Sequence, residues 1–148
     1  MDKSLELASL IRNNFGEKEV EINTYSPLAL AYIGDGIYDL IIRTMVVERG
    51  NTAPAKLHQR TSKLVCAAAQ SEMIKVLQPL LTEEELDVFR RGRNAKSVTM
   101  AKHASMSDYR RATGFEALMG YLYLNDQIDR ILELVTIGLK ETQEGFLV

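Results

Sequence analysis

Three carboxylates stand in otherwise apolar stretches, and these residues have the clearest potential for chemistry. Asp35 and Asp39 interrupt the apolar run 28–42, and Glu116 interrupts a second apolar run, 113–124. An ionised carboxylate in such a setting must be paired, hydrogen-bonded or bound to a cation, because burying a lone charge is costly. If the two runs pack together, Asp35 and Glu116 can meet, and their repulsion favours a shared proton or a divalent cation. Mg²⁺ is the expected cation, since it takes few carboxylates and keeps several waters.

Glycines accompany these carboxylates. Gly34 and Gly36 bracket Asp35, while Gly114 and Gly120 flank the second carboxylate. Each glycine inside a helix costs about 1 kcal/mol relative to alanine. The pair around Asp35 therefore predicts close approach of another backbone or a ligand at that turn.

A purely structural role is the alternative for each carboxylate. Asp39 is four residues before Arg43, a spacing at which the two side chains can pair on a helix. The occurrence of Asp35 and Glu116 in similar glycine-flanked apolar runs favours a cation site. We therefore predict a cation site at Asp35 and Glu116, with Asp39 as a candidate additional acid.

A strongly basic stretch lies between residues 90 and 111. It holds seven basic residues and a single acid, Asp108, so its net charge is +6 in a chain that totals −2. This asymmetry favours a surface for a polyanion such as nucleic acid. The alternative is a solvated face paired with the acids at 83–85. The basic residues predicted to contact the polyanion are Arg91, Arg93, Lys96, Lys102, Arg110 and Arg111, which would be RNA-binding residues if the polyanion is RNA.

Helical signals dominate the elements that must position these groups. Apolar periodicity predicts an all-α fold. The expected helices cover about 3–14, 27–48, 52–77 with room for a bend, 83–91, 108–124 and 127–144, with a loop at 94–106. Ser26, Thr82, Ser107 and Asp126 are the predicted N-caps, and Gly50 is expected to end the second helix in the left-handed conformation. The two carboxylate runs are apolar on nearly all sides, so they belong in a core or an interface.

Composition limits the class of protein. The 148 residues suit one globular domain, and the single cysteine excludes an intramolecular disulfide framework. Neither a membrane span nor a secretion signal is recognisable, so we expect a soluble cytoplasmic protein. The total charge of −2 alone gives no indication of nucleic acid.

Both carboxylate runs resemble a known family. Residues 32–39, YIGDGIYD, resemble the signature helix of the ribonuclease III nuclease domain, and residues 113–124, TGFEALMGYLYL, resemble its second catalytic helix. The sequence RNAK at 93–96 and the Tyr109–Arg110 pair are similar to the compact bacterial branch, Mini-ribonuclease III. The likeness extends from about residue 25 to residue 139.

This resemblance implies a helical endonuclease bundle forming one domain over 1–148, without a double-stranded-RNA-binding domain. The implied activity is cleavage of double-stranded RNA to 5′-phosphate ends by a homodimer, with maturation of the 23S ribosomal RNA precursor as the role. The implied cofactor is Mg²⁺, with Mn²⁺ as a substitute, and the implied metal ligands and catalytic residues are Asp35 and Glu116.

The sequence departs from the wider family at three acidic positions. Ala31 and Leu28 stand where the family usually has acids before the signature aspartate, and Thr113 stands three residues before Glu116. Two alternatives to the enzyme stay open. One is a non-catalytic duplex-RNA-binding or ribosome-assembly factor, which is favoured if the reduced acidic set leaves too few metal ligands. The other is a helical dimerisation module with structural aspartates.

Overall fold

The structure, a computed structural model, describes residues 6–96 and 105–143. Within these ranges the chain forms seven α-helices and two short 3₁₀ helices, at Ile22–Thr24 and Gln78–Leu80. The α-helices are α1 (Leu7–Phe15), α2 (Pro27–Arg49), α3 (Pro54–Val65), α4 (Ala67–Leu77), α5 (Glu83–Asn94), α6 (Met106–Leu124) and α7 (Ile128–Thr142). The all-α prediction is confirmed. None of the helices described is long and apolar enough to cross a membrane.

Helix α6 forms the centre of the bundle. Its residues 112–123 are buried, apart from the half-buried Glu116. Helices α2, α4, α5 and α7 pack around it. The prediction that this run is buried on all sides is confirmed, because an apolar helix gains most when every face is removed from water.

Helix α2 is buried on one side only. Leu30, Tyr38 and Ile42 are in the core, whereas Tyr32 is 84% exposed and Asp35 is also exposed. The expectation that α2 lies in a core or an interface is confirmed for its inner face, and its outer face is exposed within a single chain. Its outer apolar face remains available to a partner.

Helices α2 and α6 touch backbone to backbone where they cross. A Cβ added at Gly34 would lie 1.7 Å from the Glu116 carbonyl oxygen, and one at Gly120 would lie 2.0 Å from the Leu30 carbonyl oxygen. Either distance is far too short for real atoms, so alanine would force the helices apart. The close approach predicted at the Asp35 turn is confirmed at Gly34, and Gly120 makes the matching contact from α6. At Gly36 no atom of the described chain lies within 4 Å of an added Cβ, so this side of the turn is open within a single chain.

Two predicted N-caps are confirmed. The Ser26 hydroxyl accepts a hydrogen bond from the Ala29 N–H at 3.1 Å, and Thr82 forms a capping box with Glu85. The predicted 52–77 helix divides at Cys66, whose extended backbone separates α3 from α4. The bend that the prediction allowed is therefore present.

Other boundaries differ from the prediction. Ser105, not Ser107, caps α6, and its side chain accepts from the Asp108 N–H. Asp126 does not cap α7: it lies in the turn with φ 57° and pairs with Arg12 at 2.9 Å. Gly50 is extended, with φ 175°, rather than left-handed. Helix α5 continues to residue 94 and α6 begins at 106, so both ends of the predicted 94–106 loop are helical.

Candidate carboxylate site and basic groove

The crossing of α2 and α6 brings two of the predicted catalytic residues together. The side chains of Asp35 and Glu116 lie close enough to interact, so that Asp35 affects the ionisation of Glu116. Asp35 is exposed and Glu116 is half-buried, so the pair lies at the boundary between the core and solvent. Two carboxyl groups can share a hydrogen bond only when one of them carries a proton.

The surroundings of Glu116 favour its protonated form. Burial, followed by the charge of Asp35 and the hydrogen bond between the two side chains, raises the Glu116 pKa from about 4.5 to about 8. A hydrogen bond from Gln70 acts in the opposite direction and lowers this pKa. The site thus holds a proton at neutral pH unless another positive charge replaces it.

Gln70 is a site residue that the sequence did not reveal. It is 1% exposed on α4, and its Nε2 donates to the Val65 carbonyl oxygen at 2.9 Å and to Glu116 Oε2 at 3.4 Å. The available signal was a single amide after the small apolar residues 67–69, a position where a buried polar side chain needs a partner.

Asp39 does not join the pair. Its Oδ2 accepts from Arg43 Nε at 2.6 Å, an i,i+4 ion pair on the surface of α2. Within residues 6–96 and 105–143, no group of three or more His, Cys, Asp or Glu side chains is arranged to hold a metal ion. This geometry favours the structural alternative for Asp39.

The Asp35–Glu116 pair is chemically suited to a divalent cation. A cation between the two groups would replace the shared proton and remove the repulsion that raises the Glu116 pKa. Mg²⁺ commonly binds through one or two carboxylates and keeps water in its other positions. The exposed side of Asp35 leaves room for such water and for a substrate phosphate.

A basic groove lies where α5 ends and α6 begins. Its volume is about 410 Å³. The residues that line it are Arg93, Asn94, Met106, Ser107, Arg110 and Arg111. Arg93 belongs to the last turn of α5 rather than to a loop, and its guanidinium lies 5.5 Å from the centre of the Phe89 ring. Half of the predicted RNA-binding residues therefore share one concave surface.

The other predicted RNA-binding residues are placed differently. Arg91 and Lys96 are exposed but do not line the groove. Lys102 lies outside the described residues. The one acid of the basic stretch, Asp108, stays ionised because hydrogen bonds, first of all from Ser71, lower its pKa.

Arg111 connects the groove to α4. Its Nη1 donates to Ser71 Oγ at 3.4 Å and lies 3.7 Å from Asp108 Oδ1. Ser71 is fully buried and directly follows Gln70. One turn of α4 thus contacts both the carboxylate site and the basic groove.

Comparisons with known proteins match most of the chain. The Ribonuclease III domain family matches residues 28–127, which include both carboxylates. The Mini-ribonuclease 3 of Clostridium tetani is 46% identical over 126 residues, covering 84% of this chain and 83% of that protein. The Mini-ribonuclease 3 of Streptococcus pneumoniae is 41% identical, covering 84% and 98%. A crystal structure of a Fusobacterium nucleatum protein has a TM-score of 0.75 at 30% identity, covering 84% and 95%.

The Glu116 pKa leads to a prediction about stability in the absence of divalent cations. A carboxyl whose pKa is raised by folding stabilises the folded state fully below its unfolded pKa, near 4.5, and loses that contribution as pH rises through about 8. We expect Glu116→Gln to remove roughly 2 kcal/mol of the decline in unfolding free energy between pH 5.5 and 8. Urea unfolding in a chelator, followed by circular dichroism, measures the decline.

Glu72→Gln is the matched control, because Glu72 is an exposed glutamate paired with Lys75. It should retain the wild-type pH dependence. An equal decline in wild type and Glu116→Gln would contradict the buried-carboxyl interpretation.

Proposed function

Because the chain belongs to the Mini-ribonuclease 3 branch of the ribonuclease III family, we propose that its paired carboxylates support Mg²⁺-dependent cleavage of double-stranded RNA. The chain is an endoribonuclease, a hydrolase of phosphodiester bonds inside an RNA strand. Mn²⁺ is expected to substitute for Mg²⁺, since both accept carboxylate oxygen ligands. The expected products carry 5′-phosphate ends.

The observation that supports this proposal best is the contact between Asp35 and Glu116 at the crossing of α2 and α6. Two oxygen ligands from different helices form a small anionic centre that is open to solvent on the Asp35 side. Such a centre suits a hydrated divalent cation, and it has little value for binding RNA alone, because it repels phosphate.

Each residue of the site has a distinct role. Asp35 and Glu116 would hold the cation, which when bound supplies Lewis acidity that makes water nucleophilic and stabilises charge on the phosphate. Glu116 is half-buried and would be held in place by the core, whereas Asp35 is exposed and would face the approaching RNA backbone. Gln70 keeps a hydrogen bond on the Glu116 carboxylate.

The basic groove would hold the RNA backbone. Arg93, Arg110 and Arg111 line one cavity, and Arg91 and Lys96 extend the positive charge around it. Guanidinium groups bind phosphate oxygens without reading the bases. An A-form duplex is recognised largely by shape and 2′-hydroxyls, so weak sequence preference is expected. The proposed substrate is a duplex in the precursor of 23S ribosomal RNA, and the proposed location is the bacterial cytoplasm.

A homodimer would cover the outer face of α2. Leu28, Tyr32 and Leu40 are exposed apolar residues, and with Gly36 they follow a four-residue spacing along one side of the helix. A self-complementary apolar face of this kind suits a two-fold interface. The open space at Gly36 would let two α2 helices approach closely. Asp35 adjoins this face, so two sites would lie near the interface and could cut both strands.

The cleavage assay tests the catalytic proposal. Wild type should cut labelled duplex RNA with Mg²⁺ and not in chelator. Asp35→Asn and Glu116→Gln should each lose at least about 100-fold in rate, because each removes a charged oxygen ligand of the cation. Gel resolution of the products measures both the rate and the cleavage position.

Asp39→Asn is the matched control one helical turn from Asp35, and its rate should stay within about threefold of wild type, since Asp39 pairs with Arg43. A loss of rate equal to that of Asp35→Asn would show that Asp39 is an additional catalytic acid. Wild-type binding of duplex RNA without cleavage would favour the non-catalytic binding factor instead.

Salt dependence tests the basic groove. In the inactive Asp35→Asn protein, Arg93→Ala with Arg110→Ala should lower the slope of log K against log salt by between about 1 and 2, because two phosphate contacts are lost. Fluorescence anisotropy with labelled duplex RNA measures the slope. Lys56→Ala with Lys63→Ala is the control, since these exposed lysines lie on α3 and should leave the slope unchanged. Equal slopes for both double variants would exclude the groove as the phosphate site.

Sedimentation tests the dimer. Wild type should sediment as a dimer at micromolar concentration, and Tyr32→Glu with Leu40→Glu should dissociate it, because charges would be buried across the two-fold axis. Val76→Glu changes an exposed apolar residue of α4 and should leave the dimer intact. A monomeric wild type, or equal dissociation by Val76→Glu, would argue against α2 as the interface.

A further inference from the structure

Two consecutive buried polar residues of α4 face α6. Gln70 is 1% exposed and contacts Glu116, while Ser71 is 0% exposed and accepts from Arg111. Buried polar side chains need partners, and each of these finds one next to a different functional surface. Gln70 and Ser71 are therefore a useful comparison, because they are almost equally buried on the same helix but contact different functional side chains.

The Gln70 amide has a defined orientation. Both neighbours of Nε2, the Val65 carbonyl oxygen and Glu116 Oε2, are hydrogen-bond acceptors, so the amide nitrogen must face them. The bond to Val65 fixes Gln70 to the last residue of α3, beside the break at Cys66. The second N–H then reaches the Glu116 carboxylate from the inner side of the site.

The carbonyl oxygen of the Gln70 amide is a cost to the stability of the fold. Gln70 Oε1 is buried and accepts no hydrogen bond from the described part of the protein. An unsatisfied buried acceptor costs about 1–3 kcal/mol, and an apolar side chain of similar length would avoid this cost. What the amide contributes at this position is therefore its two donor contacts, one to the Val65 carbonyl oxygen at the end of α3 and one to the Glu116 carboxylate.

We propose that Gln70 is a positioning residue that holds the Glu116 carboxylate towards Asp35 so that both can bind a divalent cation. This inference rests on the cation site of the proposed function. A glutamate side chain has several rotamers, and a fixed donor on one oxygen limits them before the cation arrives. A neutral amide suits this role, because lysine or arginine would also bind the carboxylate but its positive charge would repel the cation.

Direct titration with Mn²⁺ tests the role of Gln70 without relying on activity. We expect Gln70→Met to bind Mn²⁺ about tenfold more weakly than wild type by isothermal calorimetry, because the Glu116 carboxylate loses the donor that orients it. Ser71→Ala is the control: it changes the neighbouring buried residue, which contacts Arg111 and not Glu116, and should bind Mn²⁺ as wild type does. Circular dichroism checks that each variant is folded.

Gln70→Asn provides a second test if the methionine variant does not fold. It keeps a buried amide but is one methylene too short for the 3.4 Å contact with Glu116, so the same weakening is expected. Wild-type affinity in either folded Gln70 variant would overturn the proposal. Equal weakening in Ser71→Ala would also overturn it, because the effect would then come from general packing of α4.

The same titration separates this inference from the cation site itself. Asp35→Asn and Glu116→Gln should both lose Mn²⁺ binding. If wild type binds no Mn²⁺, or if these two variants bind it as wild type does, the cation site fails. If both lose binding while folded Gln70→Met retains it, only the role of Gln70 fails.

Discussion

The backbone contact between α2 and α6 is the constraint on which the site depends. Gly34 lies against the carbonyl of Glu116, and Gly120 lies against the carbonyl of Leu30. Because no side chain separates the helices, their relative position is fixed by main-chain atoms, which have little freedom to move. Asp35 follows Gly34 directly, so the glycine that permits the crossing also sets where the carboxylates meet. The cost of glycine in each helix is offset by the packing of α6 in the core.

The site uses that rigid crossing to bring together charges that would otherwise stay apart. Glu116 is the one half-buried residue in the buried run 112–123, and repulsion from Asp35 adds to the cost of ionising it. A divalent cation bound between the two carboxylates would relieve this repulsion, and its binding would displace the proton from Glu116. Helix α4 extends the arrangement, because Gln70 contacts the carboxylates and Ser71 contacts Arg111 of the basic groove.

Sequence patterns predicted the features that depend on local chemistry. The apolar run of α6, the Ser26 cap, the Thr82 capping box and the close approach at Gly34 follow from spacing and residue type, and all were confirmed. The outer face of α2 could not be assigned from the sequence to a core or to an interface, because apolarity shows that a surface avoids water without showing what covers it. Gln70 was missed for a similar reason: its importance comes from a contact with a residue 46 positions away. Asp126 was misplaced because Arg12, also distant in sequence, competes with the helix end for its carboxylate.

The proposed cation site has fewer acids than its resemblance to the wider family implies, and the structure shows what occupies two of those positions. Ala31 is packed in the core, and Thr113 is buried with its hydroxyl bonded to the Tyr109 carbonyl oxygen, so neither position is left as an unfilled ligand site. Asp35 and Glu116 together carry at most two negative charges, which balance one divalent cation. A second cation would bring uncompensated positive charge beside an apolar core, at high electrostatic cost. Any second cation must therefore obtain its ligands and its charge balance from RNA phosphates, which couples its binding to the arrival of the substrate.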